Sequence, residues 1–321
     1  MLMLYIGGIS MFIYSDDITE IIAKYIDCKY TVTEVGHHNL GRHLVYLIKD
    51  EKENSYILKI YGKAFRFCNE LTGLKLLRDK IKCPKLLISG KVFSEIEWLL
   101  MSNIEGIILG NVWKELSNEN KVYIMQQMGE ILGRIHSAYK YDYYGAWQEY
   151  GTFILNHKDF MEYRKNSDKI IIENIIRQDI PHKELIMHSY EKLIKYYDDI
   201  KPRDVPRLCH HDFSARNMLI NREKEGWKIS GIIDFEHCYP DDPDIDFTDL
   251  YHTVFLEEPW LKEPFMKRYK EYLKIKEDVL EYKMKYYLLN KGLFICSWAY
   301  YTAPEYYLQG IKLLERLDDM Q

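Results

Sequence analysis

Short runs of β-forming residues crowd the first third of the chain and then give way to helical periodicity, and this change of texture limits the fold more than any other feature. Tyr30 to Val35, Leu44 to Ile48, Tyr56 to Tyr61, LLISGKV and IEWLLMS are separated by polar or glycine-bearing connections, as in an antiparallel sheet. A helix precedes them from Ser15, where Ile18, Ile21, Ile22, Tyr25 and Ile26 recur at i, i+3, i+4, i+7 and i+8. Another is predicted over Phe67 to Lys80. Beyond Gly110 the stripe Val122, Met125, Met128, Ile131, Leu132 and Ile135 predicts a helix, as do the patterns over Leu185 to Tyr197 and much of Leu261 to Leu317. One island breaks that run: LCHHDFSARNMLI, a polar connection, then WKISGIIDFEHCYPDDPDIDF. The pattern predicts an α+β chain of two lobes, a strand-rich part over 1–104 and a mainly helical part over 105–321.

With 321 residues, 47% hydrophobic and 29% charged, such a chain buries a core without metal or disulfide staples. The net charge of -5 argues against a general grip on nucleic acid or an anionic membrane, and it suits a cationic ligand better. Six scattered cysteines with no CxxC pair read as reduced thiols of a cytoplasmic protein. The opening MLMLYIGGISMFIY is apolar but too short to span a bilayer and carries no Lys or Arg. It is read as an extended N-terminal segment, with a later start at Met11 as the alternative.

The island holds the residues that carry chemistry. Asp212 and Asn217 are five apart, and Asp234 follows in a second apolar run. This spacing lets a loop carboxylate accept a proton while Asn217 and Asp234 present oxygens to a hard cation such as Mg²⁺. Taken singly, each residue is equally a turn former.

HHDFSARN fits an HxDxxxxN catalytic loop and IIDFE the metal motif after it, and on these residues the chain resembles the aminoglycoside phosphotransferase and choline kinase group, of protein-kinase-like fold. The resemblance implies an antiparallel-sheet nucleotide-binding N-lobe and a C-lobe with the catalytic loop and acceptor site. It implies that Asp212 orients or deprotonates an acceptor hydroxyl, that Asn217 and Asp234 hold Mg²⁺, and that Lys59, in YILKIY, clamps phosphates of ATP or GTP with Glu70 as its ion-pair partner. Backbone groups of Ser102 and Ile104 would meet the purine edge. His210 and Asp246, the latter in DPDIDF, would brace the loop, while His211 replaces a small residue. GHHNLG, with Gly36 and Gly41, matches the phosphate-covering loop loosely. His37, His38 and His43, without a cysteine or nearby carboxylate, read as loop residues at solvent or phosphate rather than Zn²⁺ ligands.

The acceptor is approached through charge. Asp234, Glu236, Asp241, Asp242, Asp244, Asp246, Asp249, Glu257 and Glu258 lie between Gly231 and Leu261 with no Lys or Arg, which suits a polycationic acceptor or else a set of ligands, caps and turns. Glu236, Glu257 and Glu258 are the acceptor candidates, with Glu305, Asp318 and Asp319 behind them. Trp298 belongs to a C-terminal aromatic set, including Trp260, Tyr300, Tyr301, Tyr306 and Tyr307, that reads as a cation cage, as sugar stacking or as helical core. An aminoglycoside-type antibiotic is the first expectation. The alternatives are a metabolic kinase for choline, homoserine or a sugar, and a kinase-like structural or spore-coat protein without catalysis.

Overall fold

The structure, a computed structural model, describes residues 2–6, 9–13, 15–36, 43–63, 65–92, 96–149, 152–153, 157–224 and 226–319. Strand β1 (Leu2–Ile6) pairs antiparallel with β2 (Ile9–Ile13), so the apolar opening folds back on itself, and α1 (Ser15–Ala23) follows. Strands β3 (Tyr30–Val35), β4 (His43–Asp50) and β5 (Ser55–Tyr61) precede α2 (Arg66–Leu77), and β6 (Leu86–Val92) and β7 (Ile96–Ser102) come after it. These five strands form one antiparallel sheet in the order β3, β4, β5, β7, β6. The two-residue period sorts their side chains. Leu44, Tyr46, Ile48, Leu58 and Ile60 are buried in a cluster with Ile18, Ile21 and Ile22 of α1, so Val45 and Lys59, and His43 and Tyr61, which are paired across the strands, share the opposite face.

The chain continues through β8 (Ile107–Ile108), α3 (Leu109–Val112) and α4 (Asn118–Ala138), whose first turn is capped by Ser117 Oγ accepting from the Asn120 N–H. Next come β9 (Trp147–Glu149), β10 (Thr152–Phe153), α5 (Phe160–Ile176), α6 (Lys183–Ile194) and β11 (Arg207–Cys209). Strands β12 (Met218–Glu223) and β13 (Gly226–Ile232) make a hairpin, with β8 on its β12 side, and β14 (Tyr239–Asp241) pairs with β11. Helices α7 (Thr248–Leu250), α8 (Lys262–Tyr269), α9 (Glu277–Ala299) and α10 (Pro304–Asp319) complete the chain.

Contacts gather these elements into two compact units, one of Met1–Val112, Ala146–Phe153 and Arg216–Cys238, the other of Trp113–Gly145, Ile154–Ala215 and Tyr239–Gln321. The architecture is two-lobed α+β, with an antiparallel sheet dominating the first unit and helices the second. The first unit runs on past residue 104 to Val112 and takes in the β12–β13 hairpin, which pairs with β8. In the second unit α4 lies so close to α8 that a Cβ on Gly129 would fall 2.2 Å from the Phe265 carbonyl oxygen. Three buried tyrosines of this unit satisfy their hydroxyls internally: Tyr286 donates to Asp168 at 2.8 Å, Tyr287 to Asp242 at 2.6 Å and Tyr307 to the Pro181 carbonyl at 2.6 Å.

Candidate active site

In the first unit the lysine of β5 is enclosed by carboxylates. Lys59 Nζ donates to Glu70 Oε2 at 2.7 Å, Asp234 Oδ1 at 2.8 Å and Glu236 Oε2 at 2.9 Å. Glu70 reaches it from α2 and also accepts from Tyr61 Oη at 2.5 Å. Burial opposes the Lys59 charge, but Asp234, Glu236 and Glu70 outweigh it and hold its pKa well above the ordinary lysine value. Burial pushes the Asp234 carboxyl up against the pull of Lys59, whereas for Glu236 the attraction of Lys59 and His43 overcomes burial and holds it well down.

The β12–β13 hairpin explains how Asn217 and Asp234 come to one end of a sheet. Met218 stands opposite Ile232, and the Ile233 N–H donates to the Asn217 carbonyl at 3.0 Å, so the two residues flank the hairpin's open end. Asp234 adopts φ 68°, a left-handed conformation that Asp tolerates better than most residues. The side-chain oxygens of Asp234, Glu70 and Glu236 lie within 4.8 Å of one another. These are hard oxygen donors of the kind Mg²⁺ takes, but here all three carboxylates accept from the Lys59 ammonium. The Ser102 N–H is donated to the Lys85 carbonyl at 2.9 Å, and Ile104 packs so that a Cβ on Gly231 would meet its Cδ1 at 2.5 Å. Gly36 ends β3 in a left-handed turn with φ 79°. Gly41, His37 and His38 lie outside the described residues. His43 is not a loop residue: it begins β4, is buried, and has its Nε2 2.8 Å from Glu236 Oε2.

In the second unit the loop after β11 is tied down by one buried carboxylate. Asp246 Oδ2 accepts from the His210 N–H at 2.7 Å and Asp246 Oδ1 from the His211 N–H at 2.5 Å. His136 Nε2 lies 2.9 Å from Asp246 Oδ2, and its Nδ1 is 2.9 Å from Tyr269 Oη. The Asp212 N–H donates to His210 Nδ1 at 3.3 Å. His211 sits at φ 61°, which explains why a small residue suits this position, and its ring stacks on Tyr239 at 3.9 Å. His136, Cys209 and Asp246 also converge within 4.8 Å. Both imidazole nitrogens and the thiol are already engaged there, the thiol with the Arg207 and Asp241 carbonyls, so this cluster is a hydrogen-bonded core.

The model of a phosphotransferase enzyme family matches residues 38–279. The chain belongs to this family. Solved structures carry the same fold at low identity. An aminoglycoside phosphotransferase, APH(4)-Ia, is matched at 13% identity and TM-score 0.69, over 95% of this chain and 98% of that one. APH(2")-IIIa, in its GDP and kanamycin complex, is matched at 18% identity and TM-score 0.67, again over 95% and 98%. A GDP complex of wild-type aminoglycoside 2'-phosphotransferase-IIIa is matched at 18% identity and TM-score 0.65, over 94% and 96%. Among curated proteins none matches. The fold is thus protein-kinase-like, and phosphotransfer is the chemistry of the family. Among the described residues no helix is long and apolar enough to cross a membrane.

Within this phosphotransferase the acidic window is largely spoken for. Asp241 pairs with Arg164, Asp242 with Lys283 at 2.8 Å, Asp244 with Arg203 and with Lys283 at 2.5 Å, and Asp249 with Lys291 at 2.9 Å. Glu258 accepts from Lys121 Nζ at 2.7 Å and Trp113 Nε1 at 2.8 Å, and Glu257 pairs with Arg316. Glu236 is placed on Lys59 rather than with these acids. Glu305 is exposed in the first turn of α10, Asp319 is exposed at its end, and Asp318 takes Lys192 at 2.5 Å. Trp298 packs on Phe294 and Tyr306, with centroids 6.5 and 6.0 Å away. The basic partners are far away in sequence, so the window's local composition could not reveal them.

Proposed function

We propose that the chain transfers the γ-phosphoryl group of ATP or GTP to a hydroxyl of an aminoglycoside-type acceptor in the cytoplasm. The observation that carries this reading is the buried Lys59 ammonium, 2.7 Å from Glu70 and 2.8 Å from Asp234. It speaks against a purely structural kinase-like protein, because buried charge clusters with strongly perturbed groups gather at functional sites. Lys59 would pass to phosphate oxygens, and Asp212 would orient the acceptor hydroxyl or take its proton. Asn217 and Asp234 would hold Mg²⁺, which when bound neutralises charge on the phosphates. Because the transition state is loose, positioning and electrostatics supply most of the acceleration. The names of the solved relatives support an aminoglycoside acceptor.

A susceptibility panel in an expressing host tests the acceptor class, and purified protein with Mg²⁺ and labelled nucleotide tests transfer to aminoglycosides, choline and sugars. Asp212→Ala is expected to lower turnover about 10²- to 10⁴-fold while nucleotide binding persists. An unchanged rate overturns the role of the loop, and no transfer to any acceptor overturns the enzymatic reading. One observation favours the second reading, a metabolic acceptor: the window's acids are paired within the protein, which leaves less negative charge for a polycation than the sequence implies.

A further inference from the structure

Lys59 has three N–H donors, and all three are given to carboxylates. To reach a phosphate, the ammonium must give up at least one of them. Glu70 is 2% exposed and is fixed from the other side by the Tyr61 hydroxyl. Glu236, the third carboxylate, is also buried, so losing Lys59 would leave a desolvated charge without a donor. His43 Nε2 stands 2.8 Å from the very oxygen that Lys59 occupies, yet the ring is turned so that neither of its nitrogens makes an aligned hydrogen bond. The other Glu236 oxygen lies 3.6 Å from His237 Nε2, beyond hydrogen-bond length. Strand register puts the imidazole there. His43 stands opposite Tyr61 on β5, two residues beyond Lys59 and on the same face of the sheet.

We propose that His43 is a positioning residue of the nucleotide site, whose imidazole takes over Glu236 when Lys59 leaves it and so lets the ammonium move to the nucleotide's phosphates. This rests on the nucleotide-dependent reading above. Among the described residues the ring has no competing hydrogen bond to break, and its edge rests on Tyr61 with centroids 5.2 Å apart.

The test is calorimetric titration of the full-length protein with ATP, and with GTP, in Mg²⁺. His43→Leu is expected to weaken binding about 10-fold, the size of a lost hydrogen bond to a charged group. His43→Gln, whose amide N–H can reach the same oxygen, should recover most of that loss. In a Glu236→Gln background, where there is no charge to satisfy, His43→Leu should change binding by less than about 2-fold. In turnover the penalty should fall on the nucleotide's KM and spare the acceptor's. Where the leucine variant does not fold, His43→Asn, polar but too short to reach, replaces it. Unchanged affinity in these variants, or an equal penalty with and without the Glu236 charge, overturns the role of His43 while leaving the phosphotransfer reading intact. A wild-type protein that binds neither nucleotide overturns both.

Discussion

Asp246 shows how a single buried side chain can set the course of a catalytic loop. Two consecutive backbone N–H groups, of His210 and His211, end on its two oxygens, and His136 holds one of those oxygens from behind. Burial alone would raise the Asp246 pKa, but the hydrogen bond and charge of His136 outweigh it, so the carboxyl titrates below its ordinary 3.8. A group depressed in this way stabilises the fold above its unfolded pKa and loses that contribution as the pH falls through its folded value. Asp246→Asn is therefore expected to cost about 2–3 kcal/mol near neutral pH. The gap from wild type should close as the pH is lowered past 3.8, as read by thermal melts across that range. A gap that persists at acid pH would mean that shape rather than charge does the bracing.

At the scale of elements, α4 owes its fit to two glycines one turn apart. A Cβ on Gly129 would strike the Phe265 carbonyl oxygen at 2.2 Å, whereas one on Gly133 would meet the ring of Tyr272 at 2.6 Å. A ring can swing aside and a backbone cannot. Gly129→Ala should thus destabilise the protein by about 1–3 kcal/mol, and by more than Gly133→Ala, in denaturant titrations. The helix itself is legible in the sequence through the period of Met125, Met128, Leu132 and Ile135, all buried. The strands are equally so: LLISGKV and IEWLLMS are β6 and β7 to the residue. Contact with a partner helix leaves no such period, so the glycines gave no sign of what lies against them. For the same reason the apolar opening reads only as extended chain, since nothing before residue 14 names its pairing partner.

For the molecule as a whole, the site divides between short-range and long-range information. The residues of the catalytic loop are contiguous and can be found by pattern, and Lys59 meets Glu70 only 11 residues away. By contrast, Glu236 meets Lys59 across 177 positions and Arg164 meets Asp241 across 77, distances at which sequence carries no local trace. This is why composition leaves the acidic window open between an acceptor surface and a set of ligands, caps and turns, while the structure pairs most of its acids internally. With the acids paired in this way, raising ionic strength from about 0.05 to about 0.3 M should change the acceptor's KM by less than roughly 3-fold. A steep rise would show that unpaired acids recruit the acceptor. The same pairing bears on how such a sequence can drift. Lys283, 1% exposed, serves Asp242 and Asp244 at once. Losing the lysine takes the ion pair from Asp242, which keeps the Tyr287 hydroxyl, and leaves Asp244 with Arg203 alone, whereas losing either aspartate leaves the lysine a partner. A lineage shedding this network would therefore have to part with an aspartate first and the lysine last.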